Sequence, residues 1–279
     1  PSPNSFSFNS PYGMCPSCKG LGQVNLVDLD KVIPDDSKNI KQVGIAPFGE
    51  VRTNTTFKQL KAIAKKYNCW LHIDGAYGAA AMLTKIGRKA LKGIEKADSL
   101  TLDPHKWWFQ PMEMGCLLVR DANHLKTTFQ VSAEYLEDTK AKGLEEINYY
   151  DHGIQLTRSF RALKLYLSLK TFGLKAFKKA IQKGMDMADY TERLLRKEQD
   201  WEIVTPAQLG ILNFIYSPKG ASRSAIDTYS KAIAERVMHD GFAMITTTKI
   251  DDLTVLRMCP IHPGLMKSDI KQTIKKLKQ

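Results

Sequence analysis

From Thr56 onward, apolar and polar positions along the chain alternate between two periods. In "TFKQLKAIAKKY", Phe57, Leu60, Ile63, Ala64 and Tyr67 recur at helical spacing on one face. "CWLHID" follows as a short buried strand, "IGRKALKGIEKA" as a second helix, and "SLTLD" and "GCLLVRD" as two further strands. Strands and helices in this alternation predict an α/β fold with a mostly parallel sheet covered by helices. In such sheets chemistry collects at the carboxyl ends of the strands, and Asp74 and Lys106 both stand at or just past such ends.

Beyond Gln155 the texture changes. "TRSFRALKLYLSLKTFG" reads as an amphipathic helix with Gly173 as its stop, and "LKAFKKAIQKGMDMADYTERLLRKE" as a longer one. "WEIVT" and "GILNFIYSP" then read as strands, "SAIDTYSKAIAERVMHDG" as a helix, "FAMITTT" and "LTVLRMCP" as strands, and a last helix starts near Lys267. Strands that follow one another without an intervening helix predict a separate α+β domain with an antiparallel sheet. Residues 1 to about 50 differ from both parts, being rich in Ser, Pro, Gly and Asn with short apolar pieces such as "VNLVDLD". The expected division is therefore 1–50, 51–160 and 161–279.

Composition narrows the class. A chain of 279 residues can bury one large core or two smaller ones. No apolar run approaches the length of a membrane span, and no signal peptide is visible. Five cysteines, an odd number with a single close pair, do not form a disulfide framework, so a reducing cytoplasm is expected. The net charge of +12 is compatible with nucleic-acid contact. The lysines are nevertheless spread along predicted helices, as at Lys61, Lys65, Lys175, Lys178 and Lys275, which favours solvated helix faces.

The stretch "SLTLDPHKWWFQ" sets Lys106 directly against two tryptophans. An amine that forms a Schiff base must lose its proton, which a dry apolar setting favours. A lysine that holds pyridoxal phosphate expects a carboxylate for the pyridinium nitrogen, and "HIDGAYG" offers Asp74, with Gly75 and Gly78 allowing close backbone approach. Each piece alone has a plainer reading, a cap or ion-pair partner for Asp74 and a snorkelling side chain for Lys106.

Together, "WLHIDGAYGAAAM" and "ADSLTLDPHKWWFQPMEMGCLLVRD" closely resemble the group II pyridoxal-phosphate-dependent amino-acid decarboxylases, of which aromatic-L-amino-acid decarboxylase is the best-known member. The resemblance runs through "YYDHGIQLTRSFRALKLYLSLKTFG" and covers roughly residues 69–279. It implies part of the type I, aspartate aminotransferase-like transferase fold with a small C-terminal domain, a homodimer, and an amino-acid substrate, aromatic by preference. It implies Lys106 as the internal-aldimine lysine, Asp74 as the carboxylate on the ring nitrogen, Ala76 as the small residue packed against the ring, and His105 as the histidine beside the cofactor. Tyr135, in "VSAEYLED", matches the family's loop tyrosine that protonates the carbanion, which favours plain decarboxylation over aldehyde synthesis. Asp103 stands where some relatives carry an asparagine close to the cofactor phosphate, a place where a carboxylate would repel that phosphate. Arg158 and Arg161 match an arginine-rich helix start near the family's dimer interface, with capping and ion pairing as the other reading.

"FSFNSPYGMCPSCKGLG", from Phe6 to Gly22, instead resembles the zinc-binding insertion of UvrA, and "VDLDKVIPDDSKNIKQVGIAPFGE" continues that resemblance. A structural zinc site takes four ligands, usually as two pairs, and Cys15 with Cys18 supplies one pair. Half a site is not expected to hold zinc in order. No Gly-x-x-x-x-Gly-Lys-Ser/Thr motif is present, which excludes an ATPase of that kind. The expectation is a chimera joined between about Gly49 and Asn68, whose decarboxylase activity is impaired by a missing half. A UvrA-type DNA-binding fragment and an inactive remnant are the alternatives.

Overall fold

A computed structural model of the protein describes residues 57–130 and 147–279. They fall into two units divided between Leu71 and His72. In the first unit, α1 (Phe57–Lys66) follows the predicted helix. Leu60 and Ile63 are half-buried and Ala64 is buried, whereas Tyr67, assigned to the same face, is exposed. The helix has ended before Tyr67, and Asn68 turns the chain at φ 52°.

The second unit opens with a three-stranded sheet of β1 (His72–Asp74), β2 (Ser99–Leu102) and β3 (Cys116–Val119), in that order. β1 and β2 run parallel, with Asp74 opposite Thr101. β3 returns antiparallel to β2, pairing Leu102 with Cys116, because a turn rather than a helix joins them. The expected parallel sheet is thus parallel on one side only. β1 is also less buried than its sequence suggested, with His72 and Asp74 exposed, because no described residue covers that face.

The β1–β2 crossover carries a 3₁₀ turn, Gly78–Leu83, and a short helix α2 (Lys85–Ala90). Thr84 caps α2, its Oγ1 accepting from Gly87 N at 2.9 Å. The single helix expected over "IGRKALKGIEKA" ends at Ala90, and after a turn through Gly93 (φ 102°) a 3₁₀ turn, Ile94–Lys96, follows. A short helix α3 (Asn123–Phe129) follows β3.

The long helix α4 (Ala162–Leu195) leads into the second sheet. Its backbone breaks at Gly173 (φ 74°, ψ 153°), where the sequence places the end of the first helix. β4 (Trp201–Gln208), β5 (Ile211–Tyr216), β6 (Thr246–Ile250) and β7 (Leu253–Met258) form an antiparallel sheet of order β4-β5-β7-β6, as expected of the C-terminal part. Both hairpins close with two-residue loops, Leu209–Gly210 and Asp251–Asp252, in which each residue has positive φ. That conformation matches the twist of the strands it joins. α5 (Arg223–Asp240) starts at the Ser222 cap and ends at Gly241, and α6 (Lys267–Leu277) begins where predicted.

Leu212, Phe214 and Leu256 bury themselves with Leu195, Val237, Ile270 and Ile274 in the main core. The alternate positions Ile215 and Val255 close a smaller cluster with Ile226. A third cluster, built on Trp107, Ile181 and Met185, joins the turn after β2 to α4. No helix among the described residues is long and apolar enough to cross a membrane.

Candidate active site

Two loops leave the carboxyl ends of the parallel strands side by side. After β1, Asp74 folds its side chain back so that Oδ1 accepts from Ala76 N at 3.0 Å. Oδ2 takes no partner among the described residues. After β2, the chain turns tightly through Asp103–Gln110, with Lys106 N donating to Asp103 O at 3.0 Å and Gln110 N to Pro104 O at 3.0 Å. Asp103 N donates to Ala76 O at 3.0 Å and ties the two loops together. Gly75 is required here: a Cβ would lie 2.7 Å from both Ala79 Cβ and Leu100 Cδ1.

Within the turn, Lys106 and Trp107 part company. Trp107 is fully buried, whereas the Lys106 side chain is 43% exposed and its Nζ lies 2.9 Å from Asp103 Oδ2. The dry apolar surrounding expected around Lys106 therefore belongs to Trp107. Successive side chains of the turn diverge, and the indole, with more apolar surface to hide, takes the interior. Asp103 is placed as the partner of the amine, and His105 Nε2 stands 3.9 Å from the same oxygen.

His105 is laced to Met114. Its backbone N–H donates to Met114 O at 3.3 Å, and its Nδ1 lies 2.6 Å from Met114 O and 3.1 Å from Met114 N. A protonated Nδ1 serves the carbonyl and a bare one serves the N–H. Beside the site, His72 bridges Ser99 Oγ at 2.7 Å and Thr101 Oγ1 at 3.0 Å, giving the face of β1 and β2 that carries Asp74 a polar surface. Cys116, which follows on β3, has its thiol pushed up by burial and then by the Asp103 charge.

The segment after the turn is strapped to the start of α4. Arg161 Nε donates to Glu113 Oε1 at 3.1 Å, and Lys164 Nζ donates to Pro111 O and Glu113 O, each at 3.0 Å. Ser168 Oγ donates to Gln110 Oε1 at 3.0 Å. Arg161 is thus an ion-pairing residue in this chain, and its guanidinium holds the Glu113 carboxyl below the usual range. Arg158 is exposed. Ser168 and Gln110 were not anticipated, although Arg161, Lys164 and Ser168 follow one another at helical spacing, three and then four residues apart. Tyr135, Cys15 and Cys18 lie outside the described residues. Among the described residues no three His, Cys, Asp or Glu side chains come together to hold a metal, and Cys69, Cys116 and Cys259 are free thiols.

The arrangement fits one end of a pyridoxal phosphate molecule. It offers a reachable amine at Lys106 and, on the neighbouring loop, the Asp74 carboxylate with one oxygen open for a ring N–H.

The family model described as the pyridoxal-dependent decarboxylase conserved domain matches residues 18–217. The match takes in most of the front segment set apart by composition. An aromatic-L-amino-acid decarboxylase of Bacillus atrophaeus is 44% identical over 80% of this chain and 47% of its own length. Tyrosine decarboxylase 3 of Petroselinum crispum is 30% identical over 74% of this chain and 41% of its own. Among solved structures, Oryza sativa TDC with PLP and tryptamine aligns with a TM-score of 0.73 at 25% identity, covering 83% of this chain and 48% of that one. Catharanthus roseus tryptophan decarboxylase in complex with L-tryptophan aligns at 0.70 and 26% identity, with the same coverage. The chain spans about half the length of the relatives it matches.

Proposed function

Because the chain belongs to the pyridoxal-dependent decarboxylase family, we propose that it serves the pyridoxal-phosphate-dependent decarboxylation of an L-amino acid, aromatic by preference. The observation that carries this reading is the bond from Asp103 N to Ala76 O at 3.0 Å, which sets the Asp74 loop beside the Lys106 turn. When bound, pyridoxal phosphate supplies an electron sink for the carbanion left by loss of CO2. Lys106 would be the covalent attachment point, once its Nζ is released from Asp103. With the cofactor bound, Asp74 would hold a proton on the ring nitrogen through its open oxygen, and Ala76 would be the small residue beside the ring. His105, fixed by Met114, presents Nε2 to the cofactor side of the turn. Tyr135 would be the residue that supplies the proton to the carbon that lost CO2. The aromatic preference rests on the relatives, whose names specify aromatic-L-amino-acid, tyrosine and tryptophan substrates.

The working form in this reading is a cytoplasmic homodimer. Phe160, Leu163, Tyr166, Leu167 and Phe172, in and just before the first half of α4, are 40–74% exposed. Apolar surface grouped in this way suits a subunit contact. Addition of pyridoxal phosphate should produce a visible absorbance band that disappears in Lys106→Ala. Absence of a band at every cofactor concentration would overturn the proposal.

A further inference from the structure

We propose that Trp107 is a positioning residue for Lys106, and that the β4–β5 turn at Leu209–Gly210 is the clamp that holds it. The inference rests on Lys106 as the cofactor lysine. The indole is gripped by residues from three distant parts of the chain. Tyr77 stacks on it face to face, with ring centroids 4.7 Å apart and planes 5° from parallel. Gly210 presses its backbone against it, so that a Cβ there would stand 2.9 Å from Trp107 Cζ2 and 3.0 Å from Cη2. Gly184 of α4 does the same from another direction, at 3.3 Å from Nε1 and 3.4 Å from Cζ2. Tyr77 is itself tied to the clamp, its hydroxyl donating to Leu209 O at 3.0 Å. Burial, with the nearby Cys259 contributing, pushes that phenol up, so it remains a donor at every ordinary pH.

A ring held on these sides cannot tilt without moving its own backbone, and Lys106 shares a peptide bond with it. The turn carries no slack, because Lys106 N, Phe109 N and Gln110 N are all bonded back within it. The place of Lys106 Nζ is therefore set from the C-terminal sheet. Stability alone is a poor account of Trp107. Its Nε1 is buried without a hydrogen-bond partner among the described residues, a desolvation loss that a phenylalanine would avoid. What the indole supplies is its shape.

The test uses Gly210→Ala, Trp107→Phe and the conservative Tyr77→Phe, which keeps the stack and loses only the hydroxyl. In the cofactor-free protein, acetylation of Lys106 by an N-hydroxysuccinimide ester is followed by peptide mass spectrometry well below the melting temperature. The exposed Lys219 serves as the internal reference, and melting is recorded by circular dichroism. Loosening the clamp should open the Lys106–Asp103 contact and raise the Lys106:Lys219 ratio about threefold or more in Gly210→Ala and Trp107→Phe, with Tyr77→Phe between these and the parent. Pyridoxal phosphate affinity, read from the visible band, should fall about tenfold in the same two variants. Variants that melt earlier but keep the parental ratio would overturn the proposal and leave Trp107 as core alone. If Gly210→Ala does not fold, Trp107→Phe and Tyr77→Phe decide it. A parent with no visible band would defeat the cofactor reading, while the acetylation ratio would still judge the clamp.

Discussion

Lys106 Nζ lies 2.9 Å from Asp103 Oδ2, three residues earlier in the same turn, so the amine at the centre of the site is already engaged. An amine held by a carboxylate is not free to attack an aldehyde, and the same carboxylate repels an incoming phosphate. Asp103→Asn should therefore speed covalent capture of pyridoxal phosphate at Lys106, measured by borohydride trapping and mass spectrometry. The folded state should change by less than about 1 kcal/mol, since the lysine end of the pair is open to solvent and screened. Slower capture in Asp103→Asn would show that the pair orients the amine instead of restraining it.

The straps between the turn and α4 differ in worth. Gln110 is buried, with Nε2 donating to Trp108 O at 2.9 Å and Oε1 accepting from Ser168. Ser168→Ala would leave that buried oxygen unpaired and should destabilise the protein by about 1–3 kcal/mol in urea titration. Arg161→Ala removes a contact to the exposed Glu113 and should cost less than about 1 kcal/mol. The reverse order would mean that the Arg161 pair, and not the Gln110 bond, secures the segment.

The motif residues were legible because their chemistry is local: Asp74 ends one short strand and Lys106 sits in the turn just past the next. Which way the turn faces was not legible. "HKWW" does not say whether the lysine or the first tryptophan goes inside, and the contacts that decide it come from positions as distant as Tyr77, Gly184 and Gly210. Hairpin register was also hidden. "FAMITTT" suggested a strand from Phe242, yet β6 begins at Thr246. The Asp251–Asp252 turn fixes the count by pairing Ile250 with Leu253, and Gly241 still belongs to the cap of α5. By contrast, the break inside α4 at Gly173 and the end of α5 at Gly241 were legible, because glycine breakers and caps act on their nearest neighbours.

Acid should unfold the C-terminal part through Asp227. Its carboxylate accepts from Thr254 N at 2.6 Å, and the hydrogen bonds from Thr254 hold its carboxyl below the ordinary range. With the folded value depressed, the unfolded chain binds the proton first. The contribution to stability is present above the ordinary value of about 3.9 and disappears as pH falls through the lower folded value. Asp227→Asn should therefore show a smaller drop in urea midpoint between pH 7 and about pH 3 than the parent. An equal drop in both would remove Asp227 from the acid response.

Gly87 and Gly78 offer a sharper contrast, since alanine is the better helix former by about 1 kcal/mol and would on that ground improve both positions. At Gly87 the space decides otherwise. A Cβ there would stand 2.0 Å from Ala81 O, a backbone atom with nowhere to go. Thr84 N and Thr84 Oγ1 both bond to that same oxygen, at 2.8 and 2.9 Å, while Thr84 Oγ1 caps Gly87 N. Relief would have to break the cap of α2, so the overpacking cost of about 1–3 kcal/mol or more exceeds the propensity gain. At Gly78 the nearest atom to a new Cβ is Leu209 Cδ1 at 3.5 Å, an ordinary contact with a flexible side chain. Thermal melts should therefore place Gly87→Ala well below the parent and Gly78→Ala level with it or above, and a Gly87→Ala variant as stable as the parent would mean that the 3₁₀ turn ahead of α2 yields more readily than its bonds indicate.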